Sequence, residues 1–349
     1  MQERRTYNAL NAMRGVAALV VAIYHADDLI GINIFTSGYL AVDFFFVLSG
    51  FIITHAYGNR MSGGMKLREF VVIRMARFYP LYILGTSAGF TIILLGVISG
   101  HSSVNPNSLF IILMLSALFV PNISSRDYAD LFPLNVPSWS LFFELIINVL
   151  FVALSRWMKP KIILAVVVSV GAALCICTMY YGSVKYGFTL ATFHVGALRG
   201  VFSFMVGVLI YRFGDSIRTR IKMPAGAAII LLAVLLSADP PEPLRPWFDI
   251  LFVVLLSPAL VISGAVTELA PRWTGLANFA GTASFVVYAL HAPTYLGARA
   301  ISTVTDLPLG FLAITLLIVL VLLSSQISSF YDEPARRFLS GRLREIIRR

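Results

Sequence analysis

Residues 309–330 read LGFLAITLLIVLVLLSSQISSF, 22 residues without one charged side chain. Coiled as an α-helix at 1.5 Å per residue, this run extends about 33 Å. The hydrocarbon core of a bilayer is about 30 Å thick. Lipid offers no hydrogen bonds to a backbone, so a segment crossing it must be a helix or part of a closed barrel. A barrel strand alternates apolar and polar residues, and this run does not alternate. It reads as a transmembrane helix.

Working outward, similar runs recur along the chain, near 8–26, 38–56, 80–99, 139–155, 161–181, 194–213, 223–238, 248–265 and 277–298. With the opening run these make about ten spans. Of the 349 residues, 58% are hydrophobic and 13% are charged, about half the charge of a soluble domain. Too little polar surface remains for a water-soluble globule. The expected fold is therefore all-α and polytopic, a single membrane-embedded domain over 1–349 with no separate soluble domain. The first run lacks a small-residue cleavage site and is followed by Asp27 and Asp28, so it reads as a span and not as a cleaved signal.

A further apolar run, 108–120, is only thirteen residues long, as suits a re-entrant or interfacial segment. Charge supports that reading. Basic residues concentrate on the cytoplasmic side of membrane proteins. If 108–120 does not cross, Arg4 and Arg5, the cluster from Arg60 to Arg77, the loops with Lys159 and with Arg218, Arg220 and Lys222, and the tail from Arg336 to Arg349 all fall inside. If it crosses, the two middle loops fall outside. Both termini are thus expected in the cytoplasm. The net charge of +10 is an orientation signal, and no nucleic-acid-binding module accompanies it. Cys175 and Cys177 sit within an apolar run and read as small apolar residues, with spacing unsuited to a zinc pair or a relaxed disulfide.

Ionisable residues inside spans are costly, which makes each a functional candidate. Arg14 and His25 are eleven residues apart on one helix. That separation is 1100°, or about 20° after whole turns, and about 16 Å along the axis. The two side chains share a face, Arg14 toward the cytoplasm and His25 near the outer end. A lone histidine there would read as an interfacial helix end; the aligned arginine favours a site. Asp43 lies among phenylalanines and needs a partner or a water-filled cavity. Arg74 and Arg77 share a helical face and suit either a positive-inside anchor or a clamp on phosphate groups. Ser138 and Trp139 open the span near 139–155, and Trp139 also fits an interfacial aromatic belt. Glu144 follows, then Arg199 near the outer end of the sixth span and a second buried histidine, His291. Gly50 reads as a packing residue.

In this order these residues resemble the acyltransferase family 3 membrane proteins. Arg14 and His25 match the family's opening pair, and Gly38 to Ile53 is similar to its G-Y-x-x-V-D-x-F-F-V-x-S-G-F stretch. Arg74-x-x-Arg77-x-x-Pro80 resembles its R-x-x-R-x-x-P motif. Pro137-Ser138-Trp139-Ser140-Leu141 with Glu144 resembles W-S-L-x-x-E. Tyr288-x-x-His291-x-Pro293 and Tyr331-Asp332-Glu333-Pro334 resemble the late motifs. Ala41 departs from the family's usual glycine.

The resemblance implies an acyl-CoA donor, most simply acetyl-CoA, used from the cytoplasmic side as a substrate and not as a permanently bound cofactor. It implies a carbohydrate hydroxyl as acceptor and a bacterial inner membrane as location. On that basis His25 is expected to be the general base or a transient acyl carrier, oriented by Asp43 or Glu144. Arg14, Arg74 and Arg77 would hold the donor. Ser138, Trp139, Arg199 and His291 complete the donor and substrate set, without a metal. A proton-coupled transporter or glycan flippase would also use buried Arg, Asp, Glu and His. It would favour inverted repeats or paired broken helices, which the sequence does not display.

Overall fold

The computed structural model describes residues 7–123, 128–214 and 223–348. Arg4, Arg5, Arg218, Arg220, Lys222 and Arg349, used above for orientation, lie outside them. Among the described residues the chain is helical and has no strand; Asp130 and Thr189 form an isolated bridge. The helices are α1 (Asn8–Ile30), α2 (Ala41–Ser62), α3 (Leu67–Ile98), α4 (Pro106–Ala117), α5 (Ser138–Ala153), α6 (Pro160–Tyr181) and α7 (Phe193–Arg212). They continue with α8 (Ala225–Ser237), α9 (Arg245–Val266, with a π turn over Phe252–Leu256), α10 (Thr274–Val304), α11 (Leu309–Ile327) and α12 (Glu333–Arg348).

Seven helical segments are long and apolar enough to cross a membrane: α1, α2, α3, α6, α7, α9 and the run beginning with α11. Three of the expected spans fall outside that group. α5 has 16 residues and α8 has 13, so they extend only about 24 and 20 Å. α10 has 31 residues but carries Asn278, Thr282, Ser284, His291 and Arg299, which lower its hydropathy. Ser284, Tyr288 and His291 in its middle are buried, whereas Asn278, Thr282 and Arg299 are exposed; α10 packs most heavily on α1, with α3 and α11 beside it. The run at 108–120 is α4, whose 12 residues reach about 18 Å. Asn105 caps it, accepting from Asn107 N–H at 2.9 Å, and Pro106 occupies its first turn.

The sequence placed Arg74 and Arg77 in the approach to a span at 80–99. The helix instead starts at Leu67 and runs through Pro80 to Ile98. Proline removes one backbone donor and usually bends a helix, but the flanking turns persist. Both arginines are thereby carried inside the bundle, not left in a loop.

Close backbone approaches set the bundle. A Cβ on Gly50 of α2 would lie 2.0 Å from the Phe204 carbonyl oxygen, and one on Gly207 of α7 would lie 2.0 Å from that of Val47. The two helices meet reciprocally at these glycines, which fits the packing role read from Gly50. Gly15 of α1 faces Ala280 of α10 in the same way. Cross-links add direction: Tyr295 Oη donates to Ala22 O at 2.8 Å, and Asn135 Nδ2 to Ala289 O at 2.9 Å. At one end, loops before α5 and before α7 join through Leu131 N–H to Phe188 O at 2.8 Å. They cover an aromatic cluster that includes Tyr82, Phe119, Phe132 and Phe142.

Candidate active site

Two cavities lie end to end in the bundle. The smaller, about 240 Å³, is bounded by Arg14, Arg74, Arg77, Glu144, Ser49 and Ser284, with phenylalanine walls. The larger, about 540 Å³, has His25, Trp139, Tyr24 and Tyr39 in its wall, and carboxylates around it. Val42 and Tyr288 line both. Arg14 therefore opens on one cavity and His25 on the other, as the eleven-residue spacing on α1 requires.

In the smaller cavity Arg74 Nη2 meets Glu144 Oε1 at 2.9 Å, and Ser49 Oγ donates to the same oxygen at 2.6 Å. The Arg74 guanidinium also lies over the Phe78 ring, 4.5 Å from its centroid. Arg14 Nη2 donates to Ser284 Oγ at 3.2 Å. Arg77 stacks on Phe285 at 4.9 Å. Among the described residues neither Arg14 nor Arg77 has a carboxylate within ion-pair distance. Three guanidinium groups against one carboxylate leave this cavity positive, and Arg14 and Arg77 hold the uncommitted charge.

His25 Nδ1 lies 2.8 Å from Val21 O, one turn back on α1. A carbonyl oxygen only accepts, so Nδ1 carries the proton and neutral His25 has its lone pair on Nε2. The ring is exposed to the larger cavity, and its centroid is 5.1 Å from that of His291. His291 is fully buried; its Nδ1 bonds Val287 O at 3.0 Å, while Nε2 has no partner among the described residues. An identical backbone bond thus fixes both tautomers.

Neither carboxylate expected to orient His25 touches it. Asp43 is engaged by Arg199, with Nη2 to Oδ2 at 2.6 Å and Nε to Oδ1 at 3.2 Å. Arg199 also donates to Tyr39 O and Tyr186 O, each at 3.0 Å, and both side chains are buried, at 1% and 0% exposure. The carboxylate's two oxygens and four of the guanidinium's contacts are used in joining α2, α7 and the segments before them. Glu144 is held by Arg74 and Ser49, as above. The orienting group for His25 is the Val21 carbonyl.

The other expected residues separate by position. Trp139 lines the larger cavity beneath the Arg199 guanidinium, 5.3 Å from its ring centroid. Arg199 reaches that cavity already neutralised by Asp43. Ser138 is buried, its Oγ has no hydrogen-bond partner among the described residues, and it lines neither cavity. His291 lines neither and reaches the site through His25.

Tyr288 is the residue whose position sequence reasoning did not assign. Its hydroxyl sits in a short hydrogen bond with Ser140 Oγ and donates to Pro137 O at 3.3 Å. It forms the partition between the cavities. Its place in the motif with His291 was the available signal: three residues apart on α10, the two side chains share a face.

A helical bundle rich in membrane-length segments, with an arginine-lined cavity abutting a histidine-bearing one, defines an integral membrane protein with an internal polar site. The chain belongs to the acyltransferase domain family, which it matches over residues 7–329. It is 37% identical over 182 residues to protein 2 of the picA locus of Rhizobium radiobacter, an alignment covering 47% of this chain and 93% of that one. It is also 37% identical over 83 residues to a Bacillus subtilis protein that carries the name peptidoglycan O-acetyltransferase, covering 23% of this chain and 12% of the relative. Staphylococcus aureus proteins named as O-acetyltransferases align at 33% identity over 84 residues, 24% of this chain and 13% of theirs. No solved structure matches.

Proposed function

We propose that the protein is a membrane O-acyltransferase that moves an acyl group, most simply acetyl, from acyl-CoA on the cytoplasmic side to a carbohydrate hydroxyl on the outer side. The observation that carries this reading is the pair of abutting cavities with opposite chemistry. The positive one suits the phosphates of coenzyme A, since forked guanidinium groups bind phosphate strongly. The other presents His25 with a free Nε2 lone pair. Between Arg14 and His25 lie about 16 Å of helix, which the flexible pantetheine arm would cover if the partition at Tyr288 and Val42 gave way.

In the reaction so read, the acceptor hydroxyl loses its proton to His25 Nε2 as its oxygen attacks the thioester carbonyl. The C–S bond then breaks, and the proton on His25 passes to the departing thiolate. The Val21 carbonyl keeps the Nδ1 proton in place, so the imidazole cycles through Nε2 alone. Support for a ten-span arrangement comes from α5, α8 and α10, which add to the seven apolar segments if the bilayer is locally thin around the short α5 and α8 and neighbours cover the polar middle of α10. With α4 not crossing, both termini would be cytoplasmic, in a bacterial inner membrane.

The test is His25→Ala, assayed for acyl transfer and for acetyl-CoA binding on one purified preparation. Acyl transfer should fall by the roughly 10²–10⁴-fold typical of a lost acid–base group. Donor binding should persist, because the arginines line the other cavity. Acyl transfer near the wild-type rate would remove His25 from the catalytic role.

A further inference from the structure

The larger cavity has a charge of its own. Arg199 and Asp43 cancel, and Arg245 Nη2 pairs with Asp239 Oδ1 at 2.6 Å. What remains around the cavity is Asp27, Asp28 and Glu242 against Lys185. Asp28, Glu242 and Lys185 are exposed, whereas Asp27 is only 8% exposed. Its Oδ1 has no hydrogen-bond partner among the described residues. A buried acceptor left unpaired costs free energy unless a ligand or water supplies a donor. Aromatic residues share the cavity wall with these carboxylates: Tyr24, Tyr39, Trp139 and Phe188. Apolar ring faces with a few fixed acceptors suit a sugar, whose C–H faces pack on rings and whose hydroxyls donate. The volume of about 540 Å³ lies within the range of about 300–1,000 Å³ usual for ligand sites.

Resting on the acyltransferase reading, we infer that the acceptor is a neutral or amine-bearing sugar, and that the cavity disfavours glycans carrying carboxylate or phosphate beside the acceptor hydroxyl. The two cavities thus sort the substrates by sign. The polyanionic donor is drawn to Arg14 and Arg77, and the negative outer cavity repels it and any acidic glycan. Asp27 supplies the buried acceptor for a hydroxyl or ammonium donor, in the lining of the cavity that also holds His25. Asp28 and Glu242 set the field at the mouth.

The test uses the full-length protein in nanodiscs and three tetrasaccharides: the glucosamine tetramer, its N-acetylated form, and the hyaluronan tetramer. Binding should be tightest for the amine-bearing probe and weakest for hyaluronan. Each ligand charge should count about 1.4- to 5-fold, the range of exposed ion pairs. High salt should compress the differences. Asp28→Lys with Glu242→Lys should reverse the order, and Asp27→Asn should weaken the amine-bearing probe. Hyaluronan binding as tightly as the neutral tetramer, an order unmoved by the lysine variants, or no binding of any probe would overturn the inference. Acetyl-CoA binding on the same preparation separates the two claims. A retained donor site with the wrong sugar order defeats only the acceptor assignment. A lost donor site defeats the acyltransferase reading and this inference with it.

Discussion

Asp43→Asn separates a structural role for this carboxylate from a catalytic one. The substitution keeps the side chain's shape and removes its charge. It leaves the Arg199 guanidinium, 1% exposed, with two backbone carbonyls and a neutral amide oxygen. The two contacts to Asp43, at 2.6 and 3.2 Å, are charge-assisted hydrogen bonds, which contribute about 1.5–3 kcal/mol each. Their sum agrees with the roughly 3–5 kcal/mol lost when one member of a buried ion pair is removed. Because Arg199 also holds the Tyr39 and Tyr186 carbonyls, the damage should spread from α2 to the loop before α7. Unfolding of the purified protein in detergent, followed by heat or denaturant, should show a destabilisation of about that size. Asp43→Leu combined with Arg199→Met should be less destabilised than the two single changes added together, since no buried charge is then left alone. The decisive comparison is the turnover of the folded fraction. Asp43→Asn of wild-type stability that nevertheless lost acyl transfer would refute the structural assignment and return Asp43 to service of the histidine.

Arg77→Ala should weaken acetyl-CoA binding more than Arg74→Ala, because Glu144 already neutralises Arg74 while Arg77 is uncommitted. A lost charged contact corresponds to about 1.5–3 kcal/mol, read by calorimetric titration; equal losses would remove the distinction. Arg77→Lys should restore little of the affinity, since an ammonium cannot make the forked contact. Reporter fusions should place residue Ala129 outside and Lys159 inside, because only a non-crossing α4 gathers the basic loops on one side; opposite signals would eliminate the ten-span arrangement.

The apolar runs determined the class of fold by themselves. Each span satisfies its own backbone hydrogen bonds, so a helix in lipid is a local matter that 20 residues decide. The same locality made Arg14 and His25 legible: one continuous helix fixes their separation and common face whatever surrounds it. The glycine contact at Gly50 was readable in type, though its partner Gly207 was not. The run at 277–298 read as a span, yet α10 is not apolar enough to stand among the seven; Ser284, Tyr288 and His291 are buried where α1, α3 and α11 pack around it. The sequence reading also began the third span at Pro80, whereas the helix starts at Leu67 and draws Arg74 and Arg77 into the bundle.

The pairing of charges required the tertiary structure. Asp43 meets Arg199 from 156 residues away, and Glu144 meets Arg74 from 70 away. Nothing local chooses between those partners and His25, since the choice depends on which helix faces lie together after packing. The sequence could supply a list of costly charges and the certainty that each must be compensated. Only the crossing of α2 with α7, and of α3 with α5, decided which are cancelled and which remain free for a ligand.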